Sequence, residues 1–150
     1  MEAKQKINNI LWPNDFSKCS EKALSHVRSL AKQYGAAVHV LYVFEDLAHH
    51  DSWYGNFDPT HIDRITKWEI KKAQDRQQAF CSKHLEECGA YTTHIEIGDP
   101  ATKILDFIEK ENIDMVVMCR KGKTGSFDMG GVVQRIEAES PVPVRVNYNM

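Results

Sequence analysis

Apolar positions along this 150-residue chain follow two alternating periods. Short apolar runs are separated by stretches in which apolar residues return every three to four positions, the signatures of strands and of amphipathic helices. Residues 7–12 read as a strand closed by Pro13. Over residues 17–34, Ala23, Leu24, Val27, Leu30 and Ala31 share one helical face, and Gly35 provides the stop. Residues 37–44 are β-branched and almost continuously apolar, as in a strand buried on both faces beneath helices. A polar and aromatic loop is predicted over 45–58, and a long helix from 59 to 88, ended by Gly89 and bearing a highly charged exposed face. Residues 92–97 alternate, which predicts an edge strand. Gly98-Asp99-Pro100 opens the next helix, with Asp99 as N-cap and Pro100 as first helical residue; Ile104, Leu105, Phe107 and Ile108 form its core stripe. Residues 115–118 predict a short buried strand, 119–131 a glycine-rich loop, 132–139 a last helix and 142–146 a last strand.

This regular β-α alternation predicts one α/β domain over residues 1–150: an open parallel sheet, right-handed crossovers, helices on both faces. Composition then narrows the function. With 42% hydrophobic and 27% charged residues, neither disorder nor coiled coil fits. The net charge of −2 comes without a basic stripe, so no nucleic-acid partner and no membrane partner is expected. No apolar run approaches the roughly 18 residues of a membrane span, and the charged N-terminus leads directly into a strand, so a cytoplasmic location is expected. Cys19, Cys81, Cys88 and Cys119 form no C-x-x-C pair; reduced, mostly buried thiols are expected.

In such sheets ligands lie beyond the carboxyl ends of the strands. Pro13-Asn14-Asp15 follows the first strand, Val43 ends the second, and Met118 ends the fourth. Next comes Cys119-Arg120-Lys121-Gly122-Lys123-Thr124-Gly125-Ser126. Its glycines let backbone N–H groups close on an anion, and it precedes a helix whose N-terminus favours phosphate; the alternative is a surface turn. Gly122-Lys123-Thr124 imitates the end of a P-loop, but Val117 stands where the first glycine is required. Asp15 reads either as a helix cap or as an acceptor for a ribose hydroxyl. Cys119, beside cationic residues, reads as a reactive thiol or as a small loop residue. His49, His50, Asp51 and His61 have no fixed ligand spacing, and no metal site is expected. No carboxylate pair or Ser-His-Asp order stands out, so binding is expected rather than catalysis.

Five segments in order then resemble the universal stress protein family: residues 10–17 with 20–24, 40–43, 98–100, 112–118, and 130–136 through 141–144. The resemblance implies a Rossmann-like sheet of the adenine nucleotide alpha hydrolase type, in the order 3-2-1-4-5. It implies a homodimer joined through the last strand, with Val142, Val144 and Val146 at the interface, and a role in the stress response. The expected ligand is ATP or a related adenine nucleotide, with magnesium. The expected binding residues are Pro13, Asn14, Asp15, Val43, Met118, Gly122, Lys123, Gly125, Gly130, Gly131 and Val132. The alternatives are a member acting only through a protein partner, with the loop around Trp53, Tyr54 and Phe57 as its surface, and a weak ATPase. This chain departs from the family's phosphate motif in three places. Cys119 replaces the first glycine, seven rather than nine residues separate Gly122 from Gly130, and Gly131 replaces a serine or threonine.

Overall fold

The computed structural model describes residues 7–14, 18–44, 59–85, 90–120 and 129–148. Strand β1 (Asn9–Pro13) is followed by α1 (Lys18–Tyr34), β2 (Ala37–Phe44), α2 (Pro59–His84), β3 (Tyr91–Ile97), α3 (Pro100–Lys110), β4 (Met115–Arg120), α4 (Met129–Glu139) and β5 (Val144–Tyr148). The strands form one parallel sheet in the order β3-β2-β1-β4-β5. The alternating strand is at an edge, as its pattern predicts.

Strand alternation divides the core between the two faces. Ile10, Trp12, Val38, Val40, Met115 and Val117 pack with Leu24, Val27 and Leu30 of α1 and with Cys81 and Leu85. Leu11, Leu41, Val43, Val116 and Met118 pack on the other face with Ile104, Phe107 and Ile108 of α3 and Val133 and Ile136 of α4. Helix α2 buries Ala73, Gln77 and Cys81, which recur every four residues, while Trp68 stays 61% exposed beneath the Lys72 ammonium, 5.0 Å from its ring centre. The buried Gln77 amide donates to the carbonyls of Val40 and His94 at 3.4 and 3.2 Å, tying α2 to two strands. Burial pushes the free Cys81 thiol up to about 12, which leaves it protonated and unreactive.

Several boundaries differ from the sequence reading. Strand β1 starts at Asn9 rather than 7, and β4 runs two residues further, so Cys119 and Arg120 belong to a strand instead of a loop. Helix α4 starts at Met129, three residues before its apolar stripe. Strand β5 starts at Val144, because the Ser140 hydroxyl donates to the Val142 carbonyl and accepts from the Val142 N–H, bending the chain there. Among the described residues, no helix is long and apolar enough to cross a membrane.

Two helices end in the same way. Gly35 (φ 62°) follows α1, and the Ala36 N–H donates back to the Ala31 carbonyl at 3.0 Å. After α3, Asn112 (φ 52°) takes the left-handed position, and the Ile113 N–H donates to the Ile108 carbonyl at 3.0 Å. Each closing bond pairs two buried apolar residues, Ala31 with Ala36 and Ile108 with Ile113. Asparagine tolerates the left-handed region, glycine more readily still, whereas other side chains pay about 1–2 kcal/mol there. Asn112→Val is therefore expected to lower unfolding free energy by about 1–2 kcal/mol in urea titrations, and Asn112→Gly to leave it nearly unchanged.

Candidate functional site

The strand order reverses between β1 and β4, where an open α/β sheet forms its ligand crevice. Ladder pairing between these strands covers Ile10–Leu11 with Met115–Val116, while β1 continues to Pro13 and β4 to Arg120. The foot of this pair is clamped: one Asp114 carboxylate oxygen accepts from the N–H groups of Asn8 and Asn9, both at 2.9 Å, and the Asp114 N–H donates to the Asn9 carbonyl at 2.8 Å. By the general rule for such sheets, a ligand is therefore expected at the opposite end, beyond the carboxyl ends of the strands.

Seven of the eleven expected binding residues are described; Asp15, Gly122, Lys123 and Gly125 lie outside the described residues. Pro13 ends β1, and Asn14 follows it at 2% exposure, its N–H anchored on the Leu41 carbonyl at 2.8 Å. Val43 and Met118 are buried in the core beneath α3 and α4, so near the crevice they have backbone to offer rather than side chains. Gly130 and Gly131 occupy the first turn of α4, with half-buried Val132 next. The first turn of a helix presents N–H groups without intrahelical acceptors and the positive end of the helix dipole. Glycines there leave an anion room to approach the backbone.

Cys119 is corrected on two counts. It lies in β4 at 4% exposure, packed against Ala23 of α1 instead of lining a loop, and it is disulfide-bonded instead of reduced. A disulfide depends on how the fold brings two Cα atoms within about 7 Å, which spacing in sequence does not reveal.

A polar network, unforeseen in the sequence, joins the start of α3 to α4. One Asp99 carboxylate oxygen accepts from the Thr102 N–H at 3.0 Å, the Thr102 hydroxyl at 2.8 Å and the Arg135 guanidinium at 3.1 Å. Arg135 also donates to Glu139, one turn further along α4, at 3.0 Å. Asp99 is thus both the N-cap of α3 and a tether for the helix that carries the glycine pair. The only hint in the sequence was the Asp99-Pro100 cap. A cavity of about 280 Å³ opens beside this network, lined by Thr102, Asp106, Arg135 and Glu139 among others; it contains none of the expected binding residues.

A family model described as the universal stress protein family matches residues 6–146. The chain belongs to that family. Universal stress protein MJ0531 of Methanocaldococcus jannaschii is 32% identical over 146 residues, covering 91% of this chain and 79% of that protein. The solved structure of MJ0577, from the same organism, superposes with a TM-score of 0.79 at 23% identity, over 97% of this chain and 98% of that one. A universal stress protein from Archaeoglobus fulgidus, solved in complex with dAMP, superposes with a TM-score of 0.63 at 15% identity, over 95% and 98%. The fold of this universal stress protein is therefore that of its family, and a relative of the same fold carries an adenine nucleotide.

The Asp99 network gives a signed pH prediction. Bonds from the Thr102 hydroxyl, then the Thr102 amide, then Arg135 hold the Asp99 carboxyl below its ordinary 3.8. The unfolded chain thus takes up this proton first as pH falls. The contribution of Asp99 is complete above about pH 4 and disappears as pH drops through the lowered folded-state value. Asp99→Ala is expected to cost about 1 kcal/mol at pH 7, and the gap from wild type in urea titrations is expected to narrow by pH 2.5.

Proposed function

We propose that this universal stress protein is a dimeric cytoplasmic binding module of the stress response, holding an adenine nucleotide in the β1–β4 crevice. The observation that carries this reading is the glycine pair in the first turn of α4, at the same end of the sheet as Pro13 and Asn14. In the proposed complex, Asn14 and Asp15 take the nucleoside end, and backbone groups near Val43 take the base. Gly122, Lys123, Gly125, Gly130 and Gly131 surround the phosphates, with magnesium accompanying ATP. The archaeal relative with dAMP supports the ligand class.

The departures from the family motif set the expected strength. A phosphate hydroxyl donor missing at Gly131 is worth about 1.5–3 kcal/mol. Thermal unfolding with ATP, ADP and AMP, with and without magnesium, tests the reading: ligand at 100 times its Kd adds about 2.7 kcal/mol of stability. Gly131→Ser is expected to tighten binding about tenfold or more. No shift at millimolar nucleotide, in wild type and Gly131→Ser alike, leaves the reading in which the protein acts through a protein partner alone.

Dimerisation is proposed through the open edge of β5. Val144 and Val146 project from that strand and Val142 from the bend before it; all three pack partly on the α3–α4 side of the core. The edge thus contributes chiefly backbone N–H and C=O groups, which a second copy would cap by strand pairing. Sedimentation at micromolar concentration is expected to show a dimer, and a monomer would contradict this part of the reading.

A further inference from the structure

Strand pairing brings together two histidines that stand 55 residues apart in the chain. His39 of β2 is in register with Thr92 of β3, and Leu41 with His94, so His39, Thr92 and His94 meet on the sheet face beneath α3. His39 Nδ1 is 3.5 Å from His94 Nε2, and the Thr92 hydroxyl oxygen is 3.2 Å from the first and 2.9 Å from the second. The ring centres are 5.6 Å apart. Centres that much further apart than the nitrogens put those nitrogens on the facing rims of the two rings. Phe107 walls the pair from above, edge-on at 5.9 and 4.7 Å, while Thr92 remains exposed to solvent.

The remaining bonds fix which nitrogen of His39 is bare. The Asn9 amide donates to the Asn112 carbonyl at 3.4 Å, which turns its oxygen towards His39 Nε2 at 3.0 Å. That oxygen can only accept, so His39 Nε2 carries the proton and Nδ1 keeps its lone pair. A ligating histidine is oriented by just such a bond from its other ring nitrogen. We propose that His39 Nδ1 and His94 Nε2, aided by the Thr92 hydroxyl, form a site for one borderline divalent transition ion of the zinc, nickel and copper class. A tetrahedral ion holding nitrogens at about 2.0–2.1 Å separates them by about 3.4 Å, close to the spacing already present.

The surroundings support the assignment. Burial lowers both imidazoles below their ordinary 6.5, and for His39 the neighbouring His94 lowers it further, so the pair is neutral and able to ligate at pH 7. The charge of Glu111 acts on both rings and that of Glu96 on His94, which favours a cation; Lys110 opposes them at His94. No cluster of three or more His, Cys, Asp and Glu donors exists among the described residues. The ion therefore has two protein nitrogens, a hydroxyl and water, which points to an exchangeable ion rather than a structural one.

Calorimetry with Ni²⁺ and Zn²⁺ on the untagged protein at pH 7.5 tests this. One ion per chain is expected. His39→Gln and His94→Gln should each weaken binding by at least about tenfold, since even outer partners of a ligand cost that much; His49→Gln/His50→Gln should not change it. Binding should also weaken as the pH is lowered through the depressed imidazole range, as protons compete for the rings. Imidazole NMR of the wild type provides a readout that needs no variant: Zn²⁺ should shift the His39 Nδ1 and His94 Nε2 resonances. Absence of binding, binding that survives His94→Gln, or unshifted His39 and His94 resonances would overturn the proposal.

Discussion

The organisation of this molecule depends on how β1 meets β4. The two central strands share a ladder of two registered pairs, and the Asp114 carboxylate locks its foot by accepting from two successive N–H groups. Bonds to a charged acceptor are stronger than neutral ones, and here both lie at one end of the pair. The same junction is the point where strand order reverses, so the clamp at the foot and the proposed ligand position at the mouth are two ends of one contact. The residues expected to hold ligand follow from it: Pro13 and Asn14 emerge at the mouth on one side, and β4 leads into α4 on the other.

The helices are then held by local devices that agree with the sheet. The C-terminal caps of α1 and α3 each return a buried apolar residue to the last turn, so these two turns also start the burial of the next strand. Asp99 works at a longer range, since a single carboxylate oxygen begins α3 and holds Arg135 of α4. Local preference and tertiary contact point the same way at these positions, the consistency expected of a sequence that specifies one fold.

Much of this was legible in the sequence because hydrophobic periodicity reports burial directly. The continuous apolar run of β2 marked a sheet interior and the alternation of β3 marked an edge. The order of the strands was not contained in that pattern and came from resemblance to the family. At the site, the strand ends were readable, but the start of α4 was not. Two adjacent glycines carry poor helix propensity and read as loop, yet they occupy the first turn, where no intrahelical N–H bond is due. Cys119 and Arg120 read as loop because they adjoin the glycine-rich run, yet they complete β4. The His39–His94 pair was invisible for a different reason: it arises from β2–β3 register, and no motif relates positions 55 apart. In α2 the buried face follows Ala73, Gln77 and Cys81, while the apolar Trp68 stays on the exposed side.

The Asp114 clamp also has a consequence in time. It joins residues separated by 105 and 106 positions, so the centre of the sheet is among the last contacts a growing chain can make. Strand β1 can pair with β2 as soon as α1 has emerged, but its other edge has no partner until β4 has been synthesised. Long-range closures of this kind slow folding and leave strand edges open to other chains meanwhile. An aspartate that accepts from β1 the moment β4 arrives shortens that interval: it seals the exposed edge at its first two amides and brings the remaining residues into register.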